Sequence, residues 1–456
     1  MELEGRKILV LGLARTGLAV ARFLAHRGAR IVGADAREDD GMRQARSELS
    51  RLSAACHLGP EETAWLDGVD AVVPSPGVPR DNKLLVEAAR RGIEVLSEIE
   101  LAARFGRAPM VAITGTNGKT TTTRLVAGIL EAAGLRVFAG GNIGKPLIEY
   151  ADGTWDWGVV EVSSFQLEWV RDFRPRVALC LNLSEDHLDR YDGLASYGAA
   201  KARIFAAQHP DDVAVLNRDD PWVWGLREEL GARVVSFGWS EVEEGAFVTE
   251  DAVVWLLHQR RLLGPVTLPM PGRHSVANAL AAIAVAAELG IDFTAAAAAL
   301  GAFAGIHRRS EIKGEVAGVL VMDDYGHHPT EIETTLQAIA EGWGRPLTVV
   351  FQPHRYSRTK DLFEDFVSAF DRVHRLILTD VYGAGEDPIP GTSGEELCRA
   401  IRRRGHMDVE FVAAKEDVAG GLLPRLSDGD MVLTLGAGDI YKVGEALLES
   451  LREQRQ

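Results

Sequence analysis

Ala112-Ile113-Thr114-Gly115-Thr116-Asn117-Gly118-Lys119-Thr120-Thr121 is the stretch on which the fold turns. An apolar run enters a glycine-bearing turn, and the turn opens a helical pattern. Successive N–H groups of such a turn can wrap a polyphosphate, and the helix N-terminus favours its negative charge. Lys119 would neutralise β/γ-phosphate oxygens and the Thr120 hydroxyl would ligate Mg²⁺. Gly115, Thr116, Asn117, Gly118, Lys119, Thr120 and Thr121 are therefore candidate ATP contacts. The motif is shorter than the usual G-x-x-x-x-G-K-[ST], because Ile113 stands where the first glycine would fall. A tight turn carrying a chance Gly-Lys-Thr is the competing reading, and the strand–loop–helix setting speaks against it.

Outward from this loop the chain divides into three blocks. Residues 1–97 alternate short β-branched runs (7–11, 31–34, 71–73, 93–96) with helical patterns such as the amphipathic 16–27. That alternation predicts a parallel, doubly wound sheet. A second α/β block, 98–304, holds the glycine loop, strand patterns at 110–114, 158–162, 177–181 and 214–216, and the alanine-rich helix 277–289. The alanines of 295–299 suit a buried helix face, Ala having the best helix propensity. A third block, 305–456, alternates again through 319–322, 347–351, 375–379, 409–412 and 431–435. The expected architecture is α/β with three domains: a Rossmann-like N-terminal domain, a central P-loop ATPase domain with a mostly parallel sheet, and a Rossmann-like C-terminal domain.

Composition narrows the class. At 456 residues, 46% hydrophobic and 25% charged, the chain reads as globular and multidomain. A net charge of −16 argues against a general nucleic-acid binder. An acidic protein handling phosphates must gather positive charge and backbone N–H groups locally. No apolar run has the ~18–20 residues needed to cross a bilayer. The opening MELEGRKILVLGL enters a strand pattern at once, unlike a signal peptide. Cys56, Cys180 and Cys398 are few, odd in number and widely spaced, which suits a reducing compartment. The cytoplasm is the expected location.

Three further segments follow the loop: Glu161-Val162-Ser163-Ser164-Phe165-Gln166-Leu167-Glu168, then Asn182-Leu183-Ser184-Glu185-Asp186-His187-Leu188-Asp189-Arg190-Tyr191, then Tyr197-Gly198-Ala199-Ala200-Lys201. With TGTNGKTT, their order and spacing resemble the central domain of the Mur ligase family, in particular its D-glutamate-adding member. The resemblance implies an ATP-dependent amide ligase of peptidoglycan synthesis that joins an amino acid to a UDP-N-acetylmuramoyl precursor. It implies that Glu161 joins Thr120 on one Mg²⁺, and that His187 and Lys201 serve a second, Lys201 as its N-carbamate. The chemistry is coherent, because two anions must meet when ATP phosphorylates a carboxylate and divalent ions offset that repulsion. A bare ammonium repels a metal, whereas a carbamate offers the oxygen that Mg²⁺ prefers. Taken singly, Glu161 reads as a surface carboxylate, His187 as a polar loop residue and Lys201 as a solvated helix lysine.

The first block carries Leu11-Gly12-Leu13-Ala14-Arg15-Thr16-Gly17 and Asp35-Ala36-Arg37. A nicotinamide dehydrogenase would want G-x-G-x-x-G; Ala14 takes the middle glycine position, while Asp35 suits an acid gripping a ribose. The pattern is closer to the Mur N-terminal domain, which places UDP at this strand–helix edge. Arg15, Thr16, Asp35 and Arg37 become candidate UDP-sugar contacts, with Ser75 and Gly77 of Ser75-Pro76-Gly77-Val78-Pro79. That last segment also reads simply as a rigid turn. Asn142 of Gly141-Asn142-Ile143-Gly144, Ser163 and Gln166 match family positions that hold the sugar-peptide portion.

Gly272-Arg273-His274-Ser275-Val276-Ala277-Asn278-Ala279 resembles the family's G-x-H-N-x-x-N-A helix start, with Asn278 as the adenine-contacting amide and Ser275 in place of the usual Asn. Gly305-Ile306-His307-Arg308-Arg309 supplies the γ-phosphate arginine, taken as Arg309, with Arg308 able to share the role. Beyond this point the resemblance changes. In place of the D-S-K-[AG]-T-N motif of a D-glutamate-adding enzyme stand Asp323-Asp324-Tyr325-Gly326-His327-His328-Pro329-Thr330-Glu331, Phe351-Gln352-Pro353-His354-Arg355-Tyr356-Ser357-Arg358-Thr359 and Leu435-Gly436-Ala437-Gly438-Asp439-Ile440. All three resemble the L-alanine-adding member, so the chain reads as a mosaic. Arg355 and Arg358 could fork onto an amino-acid carboxylate. Tyr325, His327 and His354 could fix the amine or close the pocket, Asp324 could meet the ATP ribose or the metal's water shell, and His327 is a candidate base. Loop polarity near a helix start is the bland reading of these clusters.

The expected cofactors are ATP and two Mg²⁺, the partners the amino acid and UDP-N-acetylmuramate or its L-alanyl derivative, with neither nucleic acid nor membrane. L-Alanine is favoured by the third block and D-glutamate by the first two. A nicotinamide oxidoreductase and a non-catalytic nucleotide-binding regulator are the rivals, and Lys119, Glu161, His187 and Lys201 together argue against the second.

Overall fold

The computed structural model describes residues 2–186, 190–248, 254–258, 261–266, 273–302, 311–406 and 408–454. It contains three sheets, each with helices between its strands. Strands β1 (Lys7–Leu11), β2 (Arg30–Asp35), β3 (Ala55–Leu58), β4 (Ala71–Pro74) and β5 (Glu94–Val95) form the first, in the order β3-β2-β1-β4-β5 and parallel throughout. The chain reverses direction across the sheet between β1 and β4, and ligands of open α/β sheets bind at such switch points.

The second sheet comprises β6 (Met110–Thr114), β7 (Val137–Gly141), β8 (Trp157–Glu161), β9 (Val177–Cys180), β10 (Val213–Asn217), β11 (Arg233–Gly238), β12 (Gly245–Val248), β13 (Val254–His258) and β14 (Arg261–Val266). Its order is β14-β13-β12-β11-β10-β9-β6-β8-β7, parallel from β7 to β12 and closed by an antiparallel β12–β13–β14 meander. All five residues of β6 are buried, as expected of a strand covered on both faces. The third sheet holds β15 (Glu311–Val316), β16 (Val319–Asp324), β17 (Leu347–Phe351), β18 (Arg375–Leu378), β19 (Val409–Phe411) and β20 (Met431–Leu435), in the order β15-β16-β20-β17-β18-β19. Only its β15–β16 hairpin is antiparallel.

The first two sheets share one compact unit and the third forms a second. In the first unit one continuous apolar cluster runs from Ile8, Val10 and Phe23 through Ile99 and Leu101 of the helix Glu98–Phe105 to Tyr150, Val160 and Leu216, and a second fills the other face of the first sheet around Leu9, Leu11, Val72 and Leu84. The expectation of an α/β chain with three mostly parallel sheets holds. Strands predicted at 7–11, 110–114, 347–351 and 431–435 appear with those limits. Others carried no signal: β7 reads VFAGG and β15 reads EIKGEV, where glycine and charge mask the period. The alanines of 295–299 do form a helix, but only Ala296 of the five is buried, since a 3.6-residue period turns the rest outward. The boundary at 304/305 lies outside the described residues. Among the described residues no helix is long and apolar enough to cross a membrane.

Candidate active site

The glycine loop lies between β6 and the helix Lys119–Ala132. Gly118 caps that helix at φ +83, and a Cβ there would also strike the Asn278 amide, so the position demands glycine twice over. Asn278, buried, accepts from the Thr122 hydroxyl at 3.3 Å and so sits against the first turn of the helix that follows the loop. Asn182 holds the loop's middle: its Oδ1 accepts from the Asn117 amide at 2.8 Å and its Nδ2 donates to the Asn117 carbonyl at 3.1 Å. The Thr116 hydroxyl accepts from the Ser184 amide at 3.1 Å, and the Thr116 amide donates to the Asn182 carbonyl at 3.0 Å. A loop tied so to the segment after β9 is held in shape before any anion arrives, with the Thr116 and Asn117 amides already spent on Asn182.

Two lysines converge on it. Lys119 Nζ donates to the carbonyls of Gly115 (3.0 Å) and Thr116 (2.6 Å), and Lys201 Nζ donates to the same Gly115 oxygen at 2.7 Å. Lys201 is fully buried, with its ammonium 4.4 Å above the Tyr197 ring. Burial, reinforced by the neighbouring Lys119 charge, brings its pKa down to about 7. On the other side, the Thr120 hydroxyl donates to Glu161 Oε2 at 2.8 Å and Asn142 Nδ2 donates to Glu161 Oε1 at 2.8 Å. Glu161 is buried at the end of β8, in register with Ile113 of β6, so adjacent strands deliver carboxylate and hydroxyl together. A hydroxyl and a carboxylate are hard oxygen donors, and this pair fits one Mg²⁺. Thr121 is partly exposed on the first turn of the helix. His187, Arg308 and Arg309 lie outside the described residues.

At the switch point of the first sheet, the Ser75 hydroxyl donates to the Gly12 carbonyl at 2.8 Å, joining the two candidate UDP segments. Arg15 and Thr16 open the helix Arg15–His26, and Gly77 is exposed in its turn. Asp35 is spent within the protein. It takes the Leu13 amide at 2.8 Å and the Arg37 guanidinium through both oxygens, at 3.0 and 3.1 Å. Burial raises its pKa, but the Arg37 side chain and the two amides outweigh this and leave it below the ordinary value. A carboxylate so engaged is poorly placed to grip a ribose. Ser163 and Gln166 form a capping box on the short helix Ser164–Leu167, Ser163 Oγ and the Ser163 amide both donating to Gln166 Oε1 at 3.0 Å.

In the second unit the expected residues gather at the carboxyl ends of β16, β17, β18 and β20. Asp324 is buried and accepts from the Gly326 amide at 2.7 Å. His327 Nδ1 lies 3.1 Å from the Tyr325 carbonyl and 3.5 Å from Glu331. His327 and His354 have ring centroids 5.9 Å apart, and His354 stacks on Tyr382 at 5.5 Å. Burial, then His327 and the two arginines, hold His354 down to about 4, so at neutral pH it accepts from Arg358 Nη1 at 3.3 Å. Arg358 is itself half-buried. Arg355 adopts φ +70, its amide donating to the Tyr382 carbonyl at 2.8 Å and its guanidinium lying 3.8 Å from Glu386. Such strain in a non-glycine residue persists only where surrounding contacts enforce it.

Sequence reasoning passed over Asn182, although it opens a quoted motif, and also Glu168, Arg190, Tyr382 and Glu386. Tyr382 and Glu386 lie in the irregular segment after β18, where no periodicity exists to be read. A cavity of about 1120 Å³ is lined by Arg218, Trp224, Arg227, Arg233 and Glu288, none of which is among these groups.

Three family models match the chain: a Mur ligase MurD-like N-terminal domain over residues 6–97, the Mur ligase middle domain over 113–286, and the Mur ligase glutamate ligase domain over 308–438. The UDP-N-acetylmuramate–L-alanine ligase of Geotalea daltonii is 38% identical over 98% of both chains. The UDP-N-acetylmuramoylalanine–D-glutamate ligase of Geobacter metallireducens is 47% identical over 71% of this chain and 73% of its own. Among solved structures, the UDP-N-acetylmuramate–alanine ligase of Thermotoga maritima is similar with a TM-score of 0.61 and 25% identity, over 98% of this chain and 99% of that one.

Proposed function

Because the chain belongs to the Mur ligase family, ATP-dependent and ADP-forming amide ligases of peptidoglycan synthesis, we propose that it joins L-alanine to UDP-N-acetylmuramate. The observation that carries the choice of amino acid is the charge of the pocket at the ends of β16–β18. Arg358 stands beside a neutral His354, while Arg355 faces Glu386. Lys415 is paired with Asp439 at 3.0 Å and with Glu416. One guanidinium suits one carboxylate. D-Glutamate would bring a second, and a desolvated anion left unpaired costs several kcal/mol.

In this reading the acceptor carboxylate attacks the γ-phosphorus of ATP, the bond to the bridging oxygen breaks, and ADP leaves. The amine of L-alanine then attacks the acyl carbon, a tetrahedral intermediate collapses, phosphate leaves and the nitrogen gives up a proton. Lys119 and the loop amides hold the phosphates, and Asn278 meets the adenine. Thr120 and Glu161 would hold a Mg²⁺, which supplies charge neutralisation between the two anions. Lys201 as an N-carbamate would serve a second with His187. Two ammonium groups now share the Gly115 carbonyl, and a carbamate anion on Lys201 would turn that repulsion into attraction toward Lys119. Arg309 is assigned to the γ-phosphate on the family resemblance. His327, with Nδ1 turned to the Tyr325 carbonyl, would carry its lone pair on Nε2 and take the amine's proton. UDP lies along 12–16 and 75–79, with Arg37 beside it, and the sugar near Asn142, Ser163 and Gln166. The domains are taken as 1–97, 98–304 and 305–456, and the location as cytoplasmic.

A second reading rests on the MurD-like N-terminal domain over 6–97: D-glutamate added to UDP-N-acetylmuramoyl-L-alanine. Phosphate release measured with each amino acid against each acceptor decides between them. Faster ligation of D-glutamate than of L-alanine overturns the proposal.

A further inference from the structure

Arg190 contacts none of the side chains assigned above to ATP, the metal or the amino acid, yet it joins segments assigned to the UDP-sugar. Its Nε and Nη2 form a two-pronged pair with Glu168, at 3.0 and 2.6 Å. Nη1 donates to the Pro76 carbonyl and Nη2 to the Val78 carbonyl, both at 3.0 Å. The guanidinium lies 4.1 Å over the Phe165 ring, and the Tyr191 hydroxyl donates to Glu168 Oε1 at 2.8 Å. Glu168 is all but fully buried and the Arg190 side chain only 11% exposed. A paired, desolvated guanidinium of this kind is costly to assemble and holds its partners in one geometry.

Its position gives that rigidity a use. Pro76 and Val78 belong to the turn 75–79 at the switch point of the first sheet. Phe165 lies in the short helix capped by Ser163 and Gln166, Glu168 directly follows it, and Arg190 stands three residues after His187 in sequence. One planar cation therefore reaches across 112 to 114 residues of chain to fasten the first sheet's ligand edge to the second sheet's helix. A substrate held by its uridine diphosphate at one end and reacting at the other needs those two ends at a fixed separation, and small misplacements cost large factors in rate.

We propose that Arg190, locked by Glu168, is a positioning residue that sets the distance between the UDP seat and the reacting carboxylate. The proposal rests on the assignment of turn 75–79 to UDP. With Arg190 lost, the turn keeps its bond from Ser75 to Gly12 but loses both carbonyl contacts. ATP, whose loop is held by Asn182 and Asn278, is untouched.

Steady-state kinetics on the full-length enzyme test this, using Arg190→Ala, Arg190→Lys and Glu168→Gln, with UDP binding measured calorimetrically alongside. The expected result for Arg190→Ala is a rise of roughly tenfold or more in KM for UDP-N-acetylmuramate, with KM for ATP within about twofold. Arg190→Lys, one point charge in place of a fork, should rescue little, whereas added guanidinium ion should restore part of the loss to Arg190→Ala. Glu168→Gln, nearly isosteric, should move KM the same way and keeps the test alive if the arginine variants do not fold. Equal effects on both KM values, or none on that of the UDP-sugar, overturn the proposal. Failure of the wild type to bind UDP at all overturns instead the assignment of the turn on which it rests.

Discussion

Replacing Glu98 by glutamine should make the protein more stable near pH 8 and leave it almost unchanged near pH 4.5. Glu98 begins the helix that joins the first two sheets, and its side chain is fully enclosed. Oε1 accepts from the Ile148 amide at 2.6 Å, while Oε2 meets no hydrogen-bond partner of good geometry among the described residues. Burial is the main cause that lifts its pKa from 4.5 to about 7, with the Ile148 amide pulling the other way. A carboxyl group whose folded pKa is raised binds its proton more tightly in the native state. Its contribution is complete below pH 4.5 and is lost as pH rises through 7. The shift of 7 − 4.5, or 2.5 units, corresponds to about 3 kcal/mol lost by the wild type at alkaline pH. Glutamine keeps the neutral shape at every pH and loses nothing. Urea melts of both proteins between about pH 4.5 and 8 measure the gap. Tryptophan fluorescence is a suitable probe, because Trp155 packs on Phe138 and its indole donates to the Tyr150 carbonyl in the segment that Glu98 holds. The two proteins should agree within about 1 kcal/mol at the acid end and separate to about 3 kcal/mol at the other. A difference that does not vary with pH refutes the reasoning, since it would mean that folding leaves the Glu98 pKa at its unfolded value.

Three further outcomes follow from the site. Lys119→Ala should cost about 10²–10³ in kcat with the fold intact, because one preorganised charge at the transferring phosphoryl group is gone; turnover above about a tenth of wild type would refute the loop assignment. Lys201→Ala should be nearly inactive and partly rescued by formate or acetate, which restore an oxygen ligand; a fully active enzyme whose mass shows an unmodified lysine would end the carbamate assignment. Arg358→Ala should raise KM for L-alanine by about 10–100-fold through loss of the carboxylate clamp, with KM for ATP steady, and an unchanged KM would move the clamp elsewhere.

The order of strands and helices was largely legible in the residues, because it depends on short-range pattern. A buried strand such as Val-Ala-Ile-Thr followed by Gly-x-x-Gly-Lys-Thr can scarcely fold as anything but a strand, an anion-binding turn and a helix. The same locality made Thr120, Lys119 and the Arg355–Arg358 pair recognisable, and the change of pattern near residue 305 pointed to the amino-acid end. Strands such as β7 and β15 escaped, since their glycines and charges erase the alternation that marks a pleated, half-buried surface. What only the tertiary structure decided is which side chains meet. Lys201 reaches the Gly115 carbonyl from 86 residues away, Glu161 reaches Thr120 from 41, and Arg190 spans 114 to Pro76. These meetings depend on β8 and β9 flanking β6, an order set by right-handed crossovers and core packing along the whole chain. Asp35 shows the same limit in reverse. Its spacing from the first turn suited a ribose ligand, and only the folded chain shows Arg37 curled back onto both of its oxygens. Local sequence decides what a segment can become; the convergence of distant segments decides what a charged side chain is left to do.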